Sequence, residues 1–121
     1  MTTQSLGKWT REENSVIAGH YLEMLGLEIR GEKFNKAAHR REGLATMATY
    51  RGDRATRSHG SWEMKCCNIS AVMRAAGLPF IDGYKPLGHG QQRDLAHALA
   101  AAALAHGWDD SDVAALERLA R

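Results

Sequence analysis

The chain has 121 residues, with 16 Lys+Arg against 14 Asp+Glu, 44% hydrophobic and 25% charged residues. That length suits one domain and excludes two large lobes, and the composition excludes wholesale disorder. No apolar run approaches the ~20 residues of a membrane span and residues 1–5 hold no signal-peptide core, so a cytoplasmic, membrane-free protein is expected. Cys66 and Cys67 are adjacent and have no companions elsewhere. This excludes a disulfide framework and argues against a zinc site, leaving both as small helix residues.

The first helix opens on a capping box, Thr10-Arg11-Glu12-Glu13. Val16, Ile17, Tyr21, Met24 and Leu25 draw its apolar stripe, and Gly26 and Gly31 bracket its end. A second helix opens at Asn35 and carries Ala37, Ala38, Leu44 and Met47, with Lys36, His39, Arg40 and Arg41 on its other face. Residues 49–60 have no apolar period and read as an irregular loop. Ser61 caps a third helix through Met64, Ile69, Val72 and Met73, with Gly77 at its C′ position. Both prolines and several glycines fall in residues 78–90, which read as a second structured loop. An Ala-rich fourth helix runs from about Gln91 to His106 and stops at Gly107. A last one starts at Asp110 or Ser111 and carries Val113, Leu116 and Leu119. No strand-like alternation is present. The expected class is all-α, a compact bundle of four to five helices with two structured loops, in a single domain over residues 1–121. The last helix is expected to run on to Arg121 without a stop, which would suit a domain cut from a longer protein.

The net charge of +2 conceals an asymmetry. Between residues 36 and 61 lie Lys36, Arg40, Arg41, Arg51, Arg54 and Arg57 against only Glu42 and Asp53. From residue 91 onward, Asp94, Asp109, Asp110, Asp112 and Glu117 outnumber Arg93, Arg118 and Arg121. A basic patch in glycine-containing loops is the electrostatic footprint of a phosphate-backbone reader, because displaced counterions drive such binding. A solvated face without a partner accounts for the charge as well. The run Arg57-Ser58-His59-Gly60-Ser61 precedes a helix start, where free amides and the helix dipole favour an anion; an ordinary Gly-Ser cap is the alternative. The segment from Gly83 to Gln91 combines rigid Tyr84 and Pro86 with Lys85, His89 and Gln91. It reads as a recognition loop or as a connector with Tyr84 packed on the core.

Catalytic patterns are missing. No convergent carboxylates, H-E-x-x-H or zinc-type Cys-His spacing occurs, and His20 reads as a core-edge residue. A binding module, with no cofactor, metal or small-molecule substrate, is therefore expected.

Three pieces then occur in order: Asn35-Lys36 with His39-Arg40; Arg57-Ser58-x-Gly60-Ser61 with Glu63, Lys65 and Asn68-Ile69-Ser70; and Gly83-Tyr84-Lys85-Pro86 with Gln91. Over residues 9–91, the chain resembles the helical DNA-binding domain at the N-terminus of modification-dependent (Type IV) restriction enzymes of the HNH endonuclease kind. Within that group it is most similar to the sulfur-binding domain that recognises phosphorothioated DNA. The resemblance implies a shallow apolar pocket for sulfur on a basic surface, built by His39, Arg40, Tyr84 and Pro86. Lys85 here separates Tyr84 from Pro86 and Leu87-Gly88 follows, so Pro79 is a further candidate for the apolar wall. Lys36, Arg51, Arg54, Arg57, Ser58, Gly60, Ser61, Lys65 and Asn68 are then expected on the DNA, with His59, Lys85, His89 and Gln91 within reach of bases. The resemblance further implies double-stranded DNA as partner and a nuclease domain fused C-terminally in the parent protein. A reader of another mark or of unmodified DNA, and a helical protein-interaction or oligomerisation module with the Ala-rich helix and the acidic C-terminal segment as its contact surface, are the alternatives.

Overall fold

The computed structural model describes residues 7–51, 56–88 and 92–121, and every statement below concerns these. Five helices form an all-α bundle with no strand: α1 (Arg11–Ile29), α2 (Lys36–Thr49), α3 (His59–Ala75), α4 (Gln92–Ala105) and α5 (Asp110–Leu119). None is long and apolar enough to cross a membrane.

Local chemistry sets the boundaries. The Thr10 hydroxyl accepts from the Glu13 amide at 3.2 Å, and the Glu13 carboxylate accepts from the Thr10 amide at 2.9 Å. The helix runs through Gly26 and stops ahead of Gly31, whose φ of 74° lies in the left-handed region. Asn35 caps α2 by accepting from the Ala38 amide at 3.0 Å. The cap of α3 is Ser58, not Ser61: the Ser58 hydroxyl accepts from the Ser61 amide at 3.0 Å, and its carbonyl accepts from Trp62. Both serines have cap chemistry, but only Ser58 has extended backbone there, so the helix starts a turn earlier than expected and Gly60 lies inside it.

The core joins Ile17, Tyr21 and Leu25 of α1 to Trp62, Ile69 and Met73 of α3, Leu95 and Leu99 of α4, and Leu116 of α5. In α2 only Gly43 and Met47 are buried. That helix lies on the outside of the bundle, and Gly43 is what lets it approach. A Cβ at position 43 would overlap the Trp62 indole.

Residues 78–88 are bolted down. The Tyr21 hydroxyl sits 2.7 Å from the Ser70 hydroxyl and accepts from the Ile81 amide at 2.9 Å; burial pushes the Tyr21 phenol up to about 12. The Leu87 amide donates to the Cys67 carbonyl at 3.0 Å, and the Asn68 side chain donates to the Leu87 carbonyl. These ties fix the last part of the segment on the middle of α3.

Candidate nucleic-acid interface

The basic stretch after Asn35 divides into residues turned inward and residues left outside. Arg57, expected on a phosphate, is buried. Its Nε and one terminal nitrogen donate to the two Glu13 carboxylate oxygens at 2.8 Å each, and the terminal nitrogens donate to the carbonyls of Gly7 at 2.7 Å and Lys8 at 2.9 Å. The guanidinium also lies 5.2 Å from the centre of the Trp9 ring. Buried and with four of its five N–H donors committed, Arg57 is a structural clamp rather than the expected phosphate contact. Burial alone would raise the Glu13 carboxyl, but hydrogen bonds from Arg57 and Thr10 outweigh it and hold the group below its ordinary value.

Three further expected contacts turn inward. Lys65 is buried with its ammonium 5.0 Å from the same Trp9 ring, and burial, then the neighbouring Arg57, lowers its pKa. Asn68 is buried and spends its amide on the Leu87 carbonyl. Tyr84, the expected wall of the sulfur pocket, is 1% exposed in the core beside Tyr21, with the Lys36 ammonium 4.6 Å over its ring. A ring covered on both sides cannot line an open pocket. Pro79 is exposed just past the far end of α3, a helix length of about 25 Å from His59 at 1.5 Å per residue.

What remains outside forms one face. Lys36 and Arg40 lie four residues apart on the flank of α2 turned to α3. Arg40 Nη1 meets Nε2 of His59, the first residue of α3, at 3.2 Å. Glu63, one turn on, approaches the same nitrogen at 3.4 Å. Ser58 and Gly60 are exposed beside His59, and Ser61 is half-buried. Along the same flank of α3, Met64 is 51% exposed and Cys67 half-buried. Leu87, 49% exposed, is tied directly to Cys67, next to half-buried Pro86 and exposed Lys85. Met64, Pro86 and Leu87 are thus apolar side chains left wholly or partly outside the core on α3 and the segment tied to it, and Lys36, Arg40 and Lys85 are cations left outside as well. Neither Met64 nor Leu87 is among the expected contacts; Met64 reads in the sequence as part of the apolar stripe of the third helix, and the structure leaves it outside.

Arg51 is half-buried past the end of α2. Arg54, His89 and Gln91 lie outside the described residues. Both cysteines are free thiols, and burial raises both pKa values, so they stay protonated at neutral pH.

His39, expected in the sulfur pocket, points the other way. Its Nδ1 lies 2.9 Å from Nδ1 of His20 on α1, with the rings edge to face. Glu23, one turn beyond His20, joins them, and the three ligand atoms fall within 4.8 Å of one another. No spacing motif shows this, because the two histidines stand nineteen residues apart on different helices.

A hollow of about 630 Å³ lies away from this face, between the start of α1 and α4, lined among others by Trp9, Asn14, Arg93 and His97. Compared with protein-family models, curated proteins and solved structures, the chain matches none of them.

Proposed function

We propose that the chain is a non-enzymatic domain that binds double-stranded DNA carrying a phosphorothioate, serving a nuclease domain elsewhere in a longer protein. The binding face is the flank of α2, the start of α3 and residues 83–88. The observation that best supports this reading is the meeting of Arg40 and His59 at 3.2 Å, which sets a cation of α2 at the N-terminus of α3. Orphan amides and the positive end of the helix dipole already favour an anion there. Lys36 and Lys85 extend the positive rim.

Sulfur discrimination follows from the apolar side chains left outside. Sulfur is larger, more polarizable and a poorer hydrogen-bond acceptor than oxygen, so it gives up less hydration on meeting Met64, Pro86 and Leu87. An oxygen in the same place loses its water partners and gains no donors. In this reading Leu87 joins Pro86 in the part that the resemblance gives to Tyr84, which is buried in the core.

A titration of labelled duplex at several salt concentrations, with amide resonances followed by NMR, tests the face. Resonances of Lys36, Arg40, His59, Lys85 and Leu87 should move, and log affinity should fall with log salt by about 0.9 per phosphate neutralised. Shifts gathered at Trp9, Arg93 and His97 would move the interface to the other side. Equal binding of sulfur-free DNA would leave a reader of another mark or of unmodified DNA. One observation favours a second reading as a protein-interaction module: Leu104 is 63% exposed on α4, beside a hollow lined by Ala100, Ala101 and Ala120. Absence of DNA binding at low salt would select it.

A further inference from the structure

We propose that His20, Glu23 and His39 form a binding site for a divalent first-row transition metal, with zinc the best fit. The inference stands apart from the DNA-binding reading and uses a different part of α2.

The two imidazoles approach through their Nδ1 atoms at 2.9 Å, and the Glu23 carboxylate completes a trio whose ligand atoms all lie within 4.8 Å of one another. Two nitrogens at that distance share a single proton, and a metal ion can stand in its place. Tetrahedral zinc with Zn–N near 2.0–2.1 Å sets its ligand nitrogens about 3.4 Å apart, so the rings need to part by only about half an ångström. Two histidines and one carboxylate with a fourth position for water is a ligand set that suits zinc.

The sequence around the pair is symmetric in chemistry. His20-Tyr21-Leu22-Glu23 on α1 and His39-Arg40-Arg41-Glu42 on α2 both place a histidine and a glutamate three residues apart, on one face of a helix. Glu42 stands to His39 in sequence as Glu23 stands to His20. Arg40, the cation next to His39 in sequence, turns its guanidinium away to His59.

The rings are supported from behind. The His20 ring packs edge to face on Trp62 at 5.9 Å and borders Gly43, which leaves it little freedom to rotate away. A metal held here would pin α2 to α1, where only Gly43 and Met47 of α2 reach the interior.

The test is isothermal titration of the untagged, chelator-stripped 121-residue chain with zinc chloride, paired with cobalt(II) absorption spectra and thermal melting. The expected result is one saturable equivalent, a tetrahedral-type cobalt spectrum and a melting temperature raised by zinc. E23Q removes a ligand from an exposed position without touching the packing, and H39Q removes a second. Each should weaken zinc binding at least about tenfold, as loss even of outer-shell partners does, whereas H106Q, at the end of α4, should bind as the parent does. Absence of a saturable equivalent in the parent overturns the proposal. So does equal weakening by H106Q, or unchanged affinity in a folded E23Q.

Discussion

Arg57 and Glu13 meet through two parallel hydrogen bonds of 2.8 Å, forty-four residues apart in sequence and both buried. The pair ties the segment leading into α3 to the first turn of α1, and Glu13 serves the Thr10 capping box with the same carboxylate. Removing one partner of such a pair leaves a buried charge without compensation.

R57A should therefore destabilise the fold by about 3–5 kcal/mol while leaving the DNA affinity of the folded fraction unchanged. Urea denaturation followed by circular dichroism gives the first quantity and binding below the transition gives the second. A stable R57A with much weaker DNA binding would return Arg57 to the interface.

The same carboxylate makes stability depend on acid. Glu13 is held below its ordinary value of 4.5, so the unfolded chain binds a proton there before the native protein does. Its contribution is fully present above pH 4.5 and is lost as pH falls from there through the lowered native value. Melting temperatures should drop over that window, and E13Q, less stable at neutral pH, should show a smaller drop.

Gly43 faces the Trp62 indole with no room for a side chain. G43A should destabilise by about 1–3 kcal/mol, the usual range for overpacking a tight contact. Because Lys36 and Arg40 ride on α2, it should also weaken DNA binding. Chemical denaturation and the duplex titration check the two effects together.

Tyr84 and Leu87 separate core from surface within one short segment. Y84A removes a fully buried ring and should destabilise by about 3–5 kcal/mol, the range for large aromatic truncations. L87A, at an exposed position, should change stability by less than about 0.5 kcal/mol yet erode the preference for sulfur. K36A or R40A should weaken both kinds of duplex alike and lower the salt slope by about 0.9 each.

The helices were largely legible in the sequence because their ends carry local chemistry. The Thr10 box, the Asn35 cap, and Gly77 and Gly107 with φ of 75° and 78° depend only on near neighbours. The start of α3 was ambiguous for the same reason, since Ser58 and Ser61 both have cap chemistry three residues apart. The destination of the basic residues was not legible. Arg57 and Lys65 go inward because Glu13 and Trp9, far upstream in the chain, wait for them. The exposure of Met64 stayed hidden too, because the sequence draws it into the apolar stripe of the third helix.

Equilibrium affinities for one duplex with and without a single phosphorothioate, at physiological salt, measure the sulfur preference itself. An oxygen left without donors against Met64, Pro86 and Leu87 costs about 1–3 kcal/mol, so the sulfur-bearing duplex should bind about 5- to 150-fold more tightly. Equal affinities would contradict sulfur recognition by this face.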